Sequence, residues 1–279
     1  MDAPSPRAKP ARPQLVFDVL GTSWVTPHMV RVTLGGPAFE QFRPKDVTDS
    51  YVKMLFAKPE LGLEPPYDLV ALREQLPPDD VPVTRTYTVR RVDSVDRTID
   101  IDFVVHGDEG LAGPWAARAK QGDRIALMGP NGAYAPDATA DWHLFVGDAS
   151  ALPAIAAALE YLPAEAAGVA FLECRGHDDV IELTKPSGVE VVWVHREARD
   201  DTTASLLAAA VAGYEWPAGR VQVFAHGERE SMKALRDVFL KERGLSKNQL
   251  SLSGYWAAGR TEDRFQAEKR EPIGVILPA

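Results

Sequence analysis

Trp142-His143-Leu144-Phe145-Val146-Gly147-Asp148-Ala149-Ser150-Ala151-Leu152-Pro153-Ala154-Ile155 is the stretch on which the fold turns. A short apolar run ends in Gly147-Asp148 and passes straight into the Ala-rich stretch Ala149–Tyr161. A strand that ends in glycine and feeds a helix is the phosphate end of a nucleotide-binding βα unit, where free N–H groups face an anion. The G-x-G-x-x-G fingerprint is missing, and many α/β turns of this form bind nothing. Beyond it, the strand-like runs Val169–Glu173, Val189–His195, Val221–Ala225 and Leu250–Ser253 are interleaved with helix-like stretches at Thr203–Ala212 and Ser231–Arg243. Alternating strand and helix predicts an α/β doubly wound parallel sheet over 139–279. The tail Gln266–Arg270 reads as a charged helix packing back.

Upstream the pattern is different. Val16–Leu20, Met29–Leu34, Tyr51–Phe56, Arg85–Val92, Ile99–His106 and Arg124–Met128 are rich in β-branched and aromatic residues. Ile99, Ile101, Phe103 and Val105 alternate with Asp100, Asp102 and Val104, which predicts one buried and one mostly wet face. Gly35-Gly36-Pro37 and Gly129-Pro130-Asn131-Gly132 punctuate these runs. An antiparallel six-stranded β-barrel over 14–138 is the expectation. Lys58–Asp80, with five prolines, reads as a long loop over that barrel. Residues 1–13 hold four prolines and read as a disordered lead-in, with no apolar stretch behind their basic residues to make a signal peptide.

The chain has 279 residues, enough for two domains, with 45% apolar and 25% charged residues. Its 31 Lys and Arg against 40 Asp and Glu leave a net charge of −9, so its overall field disfavours nucleic acid and anionic membrane surfaces. No window reaches the roughly 18 apolar residues of a membrane helix. The lone cysteine, Cys174, excludes an internal disulfide and thiolate metal centres, and reads as a small buried filler. The six histidines show no metal-ligand spacing. The expectation is a monomeric cytoplasmic protein whose redox chemistry, if any, comes from an organic cofactor.

Two further constellations carry chemistry. Arg85-Thr86-Tyr87-Thr88-Val89-Arg90 sets an aromatic between cations and hydroxyls, suited to stacking on a planar heterocycle and holding its phosphates. An edge strand with solvated arginines would look the same. His106-Gly107, followed by Gly110-Leu111-Ala112-Gly113-Pro114-Trp115, places Pro after Gly at a helix start, where N–H groups can receive a pyrophosphate. A plain turn and helix with Trp115 as a core anchor is the alternative.

Taken together, these segments resemble the siderophore-interacting protein family, the FAD-dependent ferric siderophore reductases of the ferredoxin-reductase superfamily. The resemblance runs over about residues 14–270. It is carried by the strand pair at 26–36, Asp49-Ser50-Tyr51-Val52-Lys53, the R-x-Y-T-x-R motif at Arg85–Arg90, Asp102 to Gly107, Gly129-Pro130-Asn131-Gly132 and the Gly147-Asp148 turn. His226-Gly227-Glu228, Ser253-Gly254-Tyr255-Trp256 and Gly259-Arg260-Thr261-Glu262-Asp263 complete it. It implies that Tyr87 stacks on the isoalloxazine, that Thr88 hydrogen-bonds near its reactive nitrogen, and that Arg85 and Arg90 neutralise the phosphates. Val104 and His106 would edge the pyrimidine side. Gly107, Gly110, Leu111, Ala112 and Gly113 would form the pyrophosphate turn, and Gly147, Asp148 and Ser150 would receive the nicotinamide nucleotide. The family's G-P-A-S-R-W carries Gly113-Pro114 here in place of Ser-Arg, and its G-D-E-T reads Gly147-Asp148-Ala149-Ser150.

The implied reaction is reduction of a ferric siderophore by NADPH or NADH through FAD. Hard oxygen ligands hold ferric iron more tightly than ferrous iron, so reduction releases the metal without destroying the chelator. No side chain need act as acid, base or nucleophile. Lys53 is a candidate for meeting an anionic siderophore, and Glu173-Cys174-Arg175 offers both an acid and an arginine for nucleotide choice, with a lean toward NADPH. Two other readings use the same motifs: a flavin reductase with free flavin, a quinone or a protein as acceptor, and a non-catalytic flavin- or siderophore-binding module.

Overall fold

A computed structural model describes residues 13–108, 110–196 and 203–277; the expected lead-in lies, but for Pro13, outside the described residues. The first half forms seven strands: β1 (Leu15–Thr26), β2 (Met29–Gly35), β3 (Tyr51–Phe56), β4 (Val83–Thr88), β5 (Arg91–Asp93), β6 (Thr98–Val104) and β7 (Arg124–Asn131). Their order is β4-β3-β7-β1-β2-β6-β5, with every pair antiparallel.

The expected antiparallel barrel is borne out, with one strand more than expected. The run at 85–92 is two strands, because Val89 and Arg90 cross from one edge of the sheet to the other. The Val89 N–H donates to the Ser50 carbonyl beside β3 at 2.7 Å, and the Arg90 N–H donates to the Asp100 carbonyl on β6 at 2.8 Å. Those two bonds close the barrel. β4 pairs through only one of its edges, with β3, so its other edge belongs to no ladder.

Phe17, Val32, Leu34, Ile101, Phe103 and Leu127 fill the barrel and are fully buried. Phe103 is the aromatic centre, 5.7 Å from the Trp115 ring and 4.3 Å from the Tyr87 ring. Trp115 also meets Phe56 at 5.5 Å, as a core anchor should. It is carried there by helix α2 (Ala112–Arg118). Asp102 departs from the expected wet face. It is buried, and the Arg31 guanidinium donates to both of its oxygens at 2.7 and 2.8 Å, a bidentate pair that offsets the loss of hydration.

The expected loop over 58–80 contains a helix, α1 (Leu69–Gln75), capped by Asp68 Oδ1, which accepts from the Val70 and Ala71 N–H groups. Leu63, Leu69 and Leu72 seat this excursion on Leu55, Tyr67 and Ala126. Seven residues are too few to show a helical period against five prolines.

The second half is a five-stranded parallel sheet: β8 (Trp142–Gly147), β9 (Gly168–Cys174), β10 (Val189–His195), β11 (Val221–Glu228) and β12 (Leu250–Trp256), ordered β10-β9-β8-β11-β12. Helix α3 (Leu152–Tyr161) covers one face. Helices α4 (Thr203–Gly213) and α5 (Arg229–Asp237), with a π-helical turn at Val238–Glu242, cover the other. Every residue of β8 is buried, as a strand covered on both faces must be. Met29 and Tyr134, which lie outside the α/β sheet, pack in the cluster of α3, so the two halves share apolar contact. The last helix, α6 (Glu262–Glu268), starts four residues before the expected tail helix. Among the described residues no helix is long and apolar enough to cross a membrane.

Phe103→Ala should lower the stability of the barrel by about 3–5 kcal/mol, read from the urea unfolding curve. A loss under about 1 kcal/mol would show that the core is not organised around this ring.

Candidate active site

A cavity of about 580 Å³ opens between the barrel and the carboxyl ends of the parallel strands. That volume is in the range of small-molecule and cofactor sites. Lys53, Tyr87, Thr88, Val104, His106, Asp148 and Ser150 all line it. Residues far apart in sequence thus share one cavity. Thr86, Tyr87 and Thr88 reach it in succession, although strand alternation assigns neighbours to opposite faces. The reason is that β4 meets the cavity with its free edge as well as a face.

The Tyr87 ring packs on Phe103, and burial pushes its hydroxyl pKa up. Arg85 and Arg90 do not line the cavity. Arg85 donates to both oxygens of Asp263 at 3.1 Å, while Arg90 is paired with Glu160 of α3 and ties the barrel to the second domain. Strand β6 ends at Val104, two residues short of the expected His106; Gly107, Gly110 and Leu111 follow it into α2, which begins with Ala112 and Gly113, and all five lie outside the cavity wall. Gly107 and Gly110 have φ of 58° and 76°, the left-handed conformations that glycine adopts without strain. A Cβ on Gly113 would lie 3.0 Å from the Val104 carbonyl oxygen, so glycine lets α2 approach β6 closely.

Asp148 is buried and accepts four hydrogen bonds. Its Oδ1 takes the Ser150 N–H at 2.9 Å and the Ser150 hydroxyl at 2.5 Å; its Oδ2 takes the Glu228 N–H and the Trp256 Nε1–H, both at 2.8 Å. Gly147 lies beneath the turn, where a Cβ would meet Ala151, Ile155 and the His226 carbonyl within 3 Å. Asp148 therefore shapes the strand-to-helix turn, and Ser150 presents its hydroxyl oxygen at the rim.

Several wall residues carry no role in the sequence reading. Tyr255 and Trp256 enter from β12, and Glu262, Gln266 and Lys269 from α6 and its end. The Glu268 carboxylate anchors α6 by accepting from Arg229, Arg260 and Arg264 at 2.5, 2.9 and 2.8 Å, which holds it down to about 2, the Arg229 bond first. Burial, reinforced by Lys53, lowers the Lys269 ammonium pKa, while Glu262 opposes that. Glu173, at the end of β9, is buried in the same wall with one carboxylate oxygen lacking any hydrogen-bond partner. Its carboxyl is pushed up to about 7, first by burial and then by Asp148, against the pull of Arg196. Unlike those residues, Glu173 was named from the sequence, together with Arg175, as a candidate for nucleotide choice. Cys174 is buried beside His195, with Sγ 3.5 Å from Nδ1. His226 is a buried core histidine held near 3 by desolvation, its Nε2 bonded to the Ser251 hydroxyl at 2.9 Å.

Two family models match the chain: a siderophore-interacting FAD-binding domain over residues 18–134 and a siderophore-interacting protein over 140–259. An uncharacterized protein of Mycobacterium tuberculosis is 48% identical over 93% of this chain and 96% of its own length. The ferric vibriobactin reductase ViuB of Vibrio cholerae is 32% identical over 91% of this chain and 93% of its own. Among solved structures, a siderophore utilization protein from T. fusca superposes with a TM-score of 0.78 at 38% identity, covering 89% of this chain and 94% of that one.

Because folding lifts the Glu173 pKa above its unfolded value, its ionisation takes stability away as the pH rises from the ordinary carboxylate range through about 7. Glu173→Gln should therefore melt above the parent at pH 8, by on the order of 2 kcal/mol, and lose most of that advantage by pH 5. Thermal melts without nucleotide check this; a difference independent of pH would refute the assigned cause.

Proposed function

This chain belongs to the siderophore-interacting protein family, and from that premise we propose how its interdomain cavity serves the reaction. The protein is an FAD-dependent reductase that passes electrons from a nicotinamide nucleotide to a ferric siderophore. The single observation that carries the site assignment is the convergence of Tyr87, Thr88 and Val104 from the barrel with Asp148 and Ser150 from the parallel sheet on one cavity. The donor set fits a flavin: an aromatic face, a strand edge with open backbone groups, hydroxyls, and arginines on the flank. When bound, the flavin converts a two-electron hydride donor into a source of single electrons for iron.

The residues have separable tasks. Tyr87, braced from behind by Phe103, supplies a flat face, and Thr88 places a hydroxyl at the edge of the ring system. Val104 and His106 border the pyrimidine side. The N–H groups of segment 110–113 take the pyrophosphate, and Arg85 joins them. Its present partner, Asp263, is largely exposed, and such an ion pair is worth at most about 1 kcal/mol, so a phosphate can replace it. Arg90, bridged to Glu160, braces the barrel against α3 beside the site. On the other wall, Gly147, Asp148 and Ser150 form the turn that receives the nicotinamide nucleotide. Lys53 and Lys269 line the same cavity and give this acidic protein local positive charge for an anionic ferric chelate. Nothing in this scheme asks a side chain to act as nucleophile or base. We assign the chain to the cytoplasm, working as a monomer.

Anaerobic absorbance tests the reading. The yellow holoprotein should bleach on adding a nicotinamide nucleotide and recolour on adding a ferric siderophore; recolouring by free flavin or a quinone but by no ferric chelate would overturn it. Tyr87→Ala should weaken FAD binding about tenfold or more, measured by equilibrium dialysis. Lys53→Ala should raise the KM for an anionic ferric siderophore several-fold, with the difference shrinking as salt is added.

A further inference from the structure

Three carboxylates are buried together at the carboxyl ends of β8, β9 and β11, and two are fully engaged. Asp148 accepts its four bonds as described. Glu228 accepts from the N–H groups of Glu230, Ser231 and Ala258 at 2.5, 2.9 and 3.1 Å. Glu173 differs. Its Oε1 stands 3.6 Å from Arg196 Nη1, beyond hydrogen-bond distance, and its Oε2 has no donor, although the side chain is only 2% exposed and lines the cavity. A buried acceptor left bare keeps its full desolvation cost, and a ligand that brings a donor recovers it.

The place of Glu173 in the fold says which donor. Ligands of open α/β sheets lie outside the carboxyl ends of the strands, and an acid ending the second strand faces the ribose 2′-hydroxyl of a dinucleotide seated over the first strand-to-helix turn. β9 is the second strand of this sheet, and its Leu172 pairs in register with Gly147 of that turn. Two guanidiniums also line the cavity, and each already faces a neighbour. Arg175 Nη1 donates to His28 Nε2 at 3.1 Å, and His28 Nδ1 is bonded in turn to Asp179 at 2.9 Å. Arg196 faces Glu173 itself. A 2′-phosphate would also bring its charge beside Asp148, Glu173 and Glu228, and at close range such like charges repel.

Building on the reductase reading, we infer that Glu173 accepts a hydrogen bond from the ribose 2′-hydroxyl of the nicotinamide dinucleotide and so selects NADH over NADPH. This reverses the lean toward NADPH drawn from Arg175 in the sequence. The carboxyl does not take part in electron transfer; it determines specificity.

Oxidised NAD⁺ and NADP⁺ bind without turnover, so their affinities can be read apart from the reaction. Each is titrated into the FAD-loaded full chain by calorimetry, with quenching of Trp193 and Trp256, which line the cavity, as a second signal. NAD⁺ should bind about tenfold or more tightly than NADP⁺. Glu173→Ala should bring the two within about threefold by weakening NAD⁺, while Glu173→Gln, which keeps an acceptor oxygen, should retain part of the preference. Equal or tighter binding of NADP⁺ by the parent overturns the inference and leaves the reductase reading intact. So does a Glu173→Ala variant, still yellow and folded, that keeps the parent's ratio or weakens both nucleotides alike. A yellow parent with no affinity for either nucleotide would overturn both.

Discussion

Much of the wall at the carboxyl ends of the parallel strands hangs on one buried carboxylate. Asp148 could not be taken out of water without donors for its oxygens, and the four it finds come from its own turn, from the end of β11 and from the Trp256 indole. One side chain thereby holds the carboxyl ends of three strands in a fixed relation. The packing around it leaves no slack: Gly227 has φ of 150°, and a Cβ there would lie 2.7 Å from Asp148 Oδ2. Only glycine satisfies that backbone and that approach together. The same Glu228 whose N–H reaches Asp148 caps α5 through its own carboxylate, so the lock extends from the turn into a helix.

The barrel contributes the opposite wall by a different device. Its strand at 83–93 belongs to both edges of one sheet, and crossing between them leaves β4 with a free edge beside an aromatic ring. Phe103 fixes that ring from below, so the orientation of Tyr87 is set by the core and not by solvent. Apolar contact of Met29 and Tyr134 with the α3 cluster sets the two walls against each other. Around this frame the polar ties between the halves, Arg85 with Asp263, Arg90 with Glu160 and His28 with Asp179, lie closer to solvent. The Arg85–Asp263 pair, whose carboxylate is largely exposed, contributes little to stability and yields readily to a charged ligand. Walls fixed by apolar contact, with an ionic edge that a charged ligand can replace, suit the cavity to the cofactor role proposed for it.

Alternating hydrophobicity and glycine punctuation made the barrel and the parallel sheet legible, because burial on one face or on two leaves a period in the chain. Helix α1 and the split at Val89-Arg90 were hidden, since a seven-residue helix among prolines and a two-residue crossing leave no such period. Of the site, Tyr87, Thr88, Val104, His106, Asp148 and Ser150 could be read from local motifs, and all six line the cavity. The wall from α6 could not, because Lys269 and Gln266 reach it through the anchoring of Glu268, which Arg229 of the distant α5 completes alongside Arg260 and Arg264.

The chain alone thus determined its two architectures, its family and the motif residues, all of which are recorded in short-range pattern. Only the tertiary structure decided that Arg85 and Arg90 are held by carboxylates outside the cavity, and that Glu173 stands buried with an unmatched oxygen beside Asp148 and Glu228. Hydrogen-bond satisfaction and desolvation are sums over neighbours from distant segments, and no window of sequence contains those neighbours together.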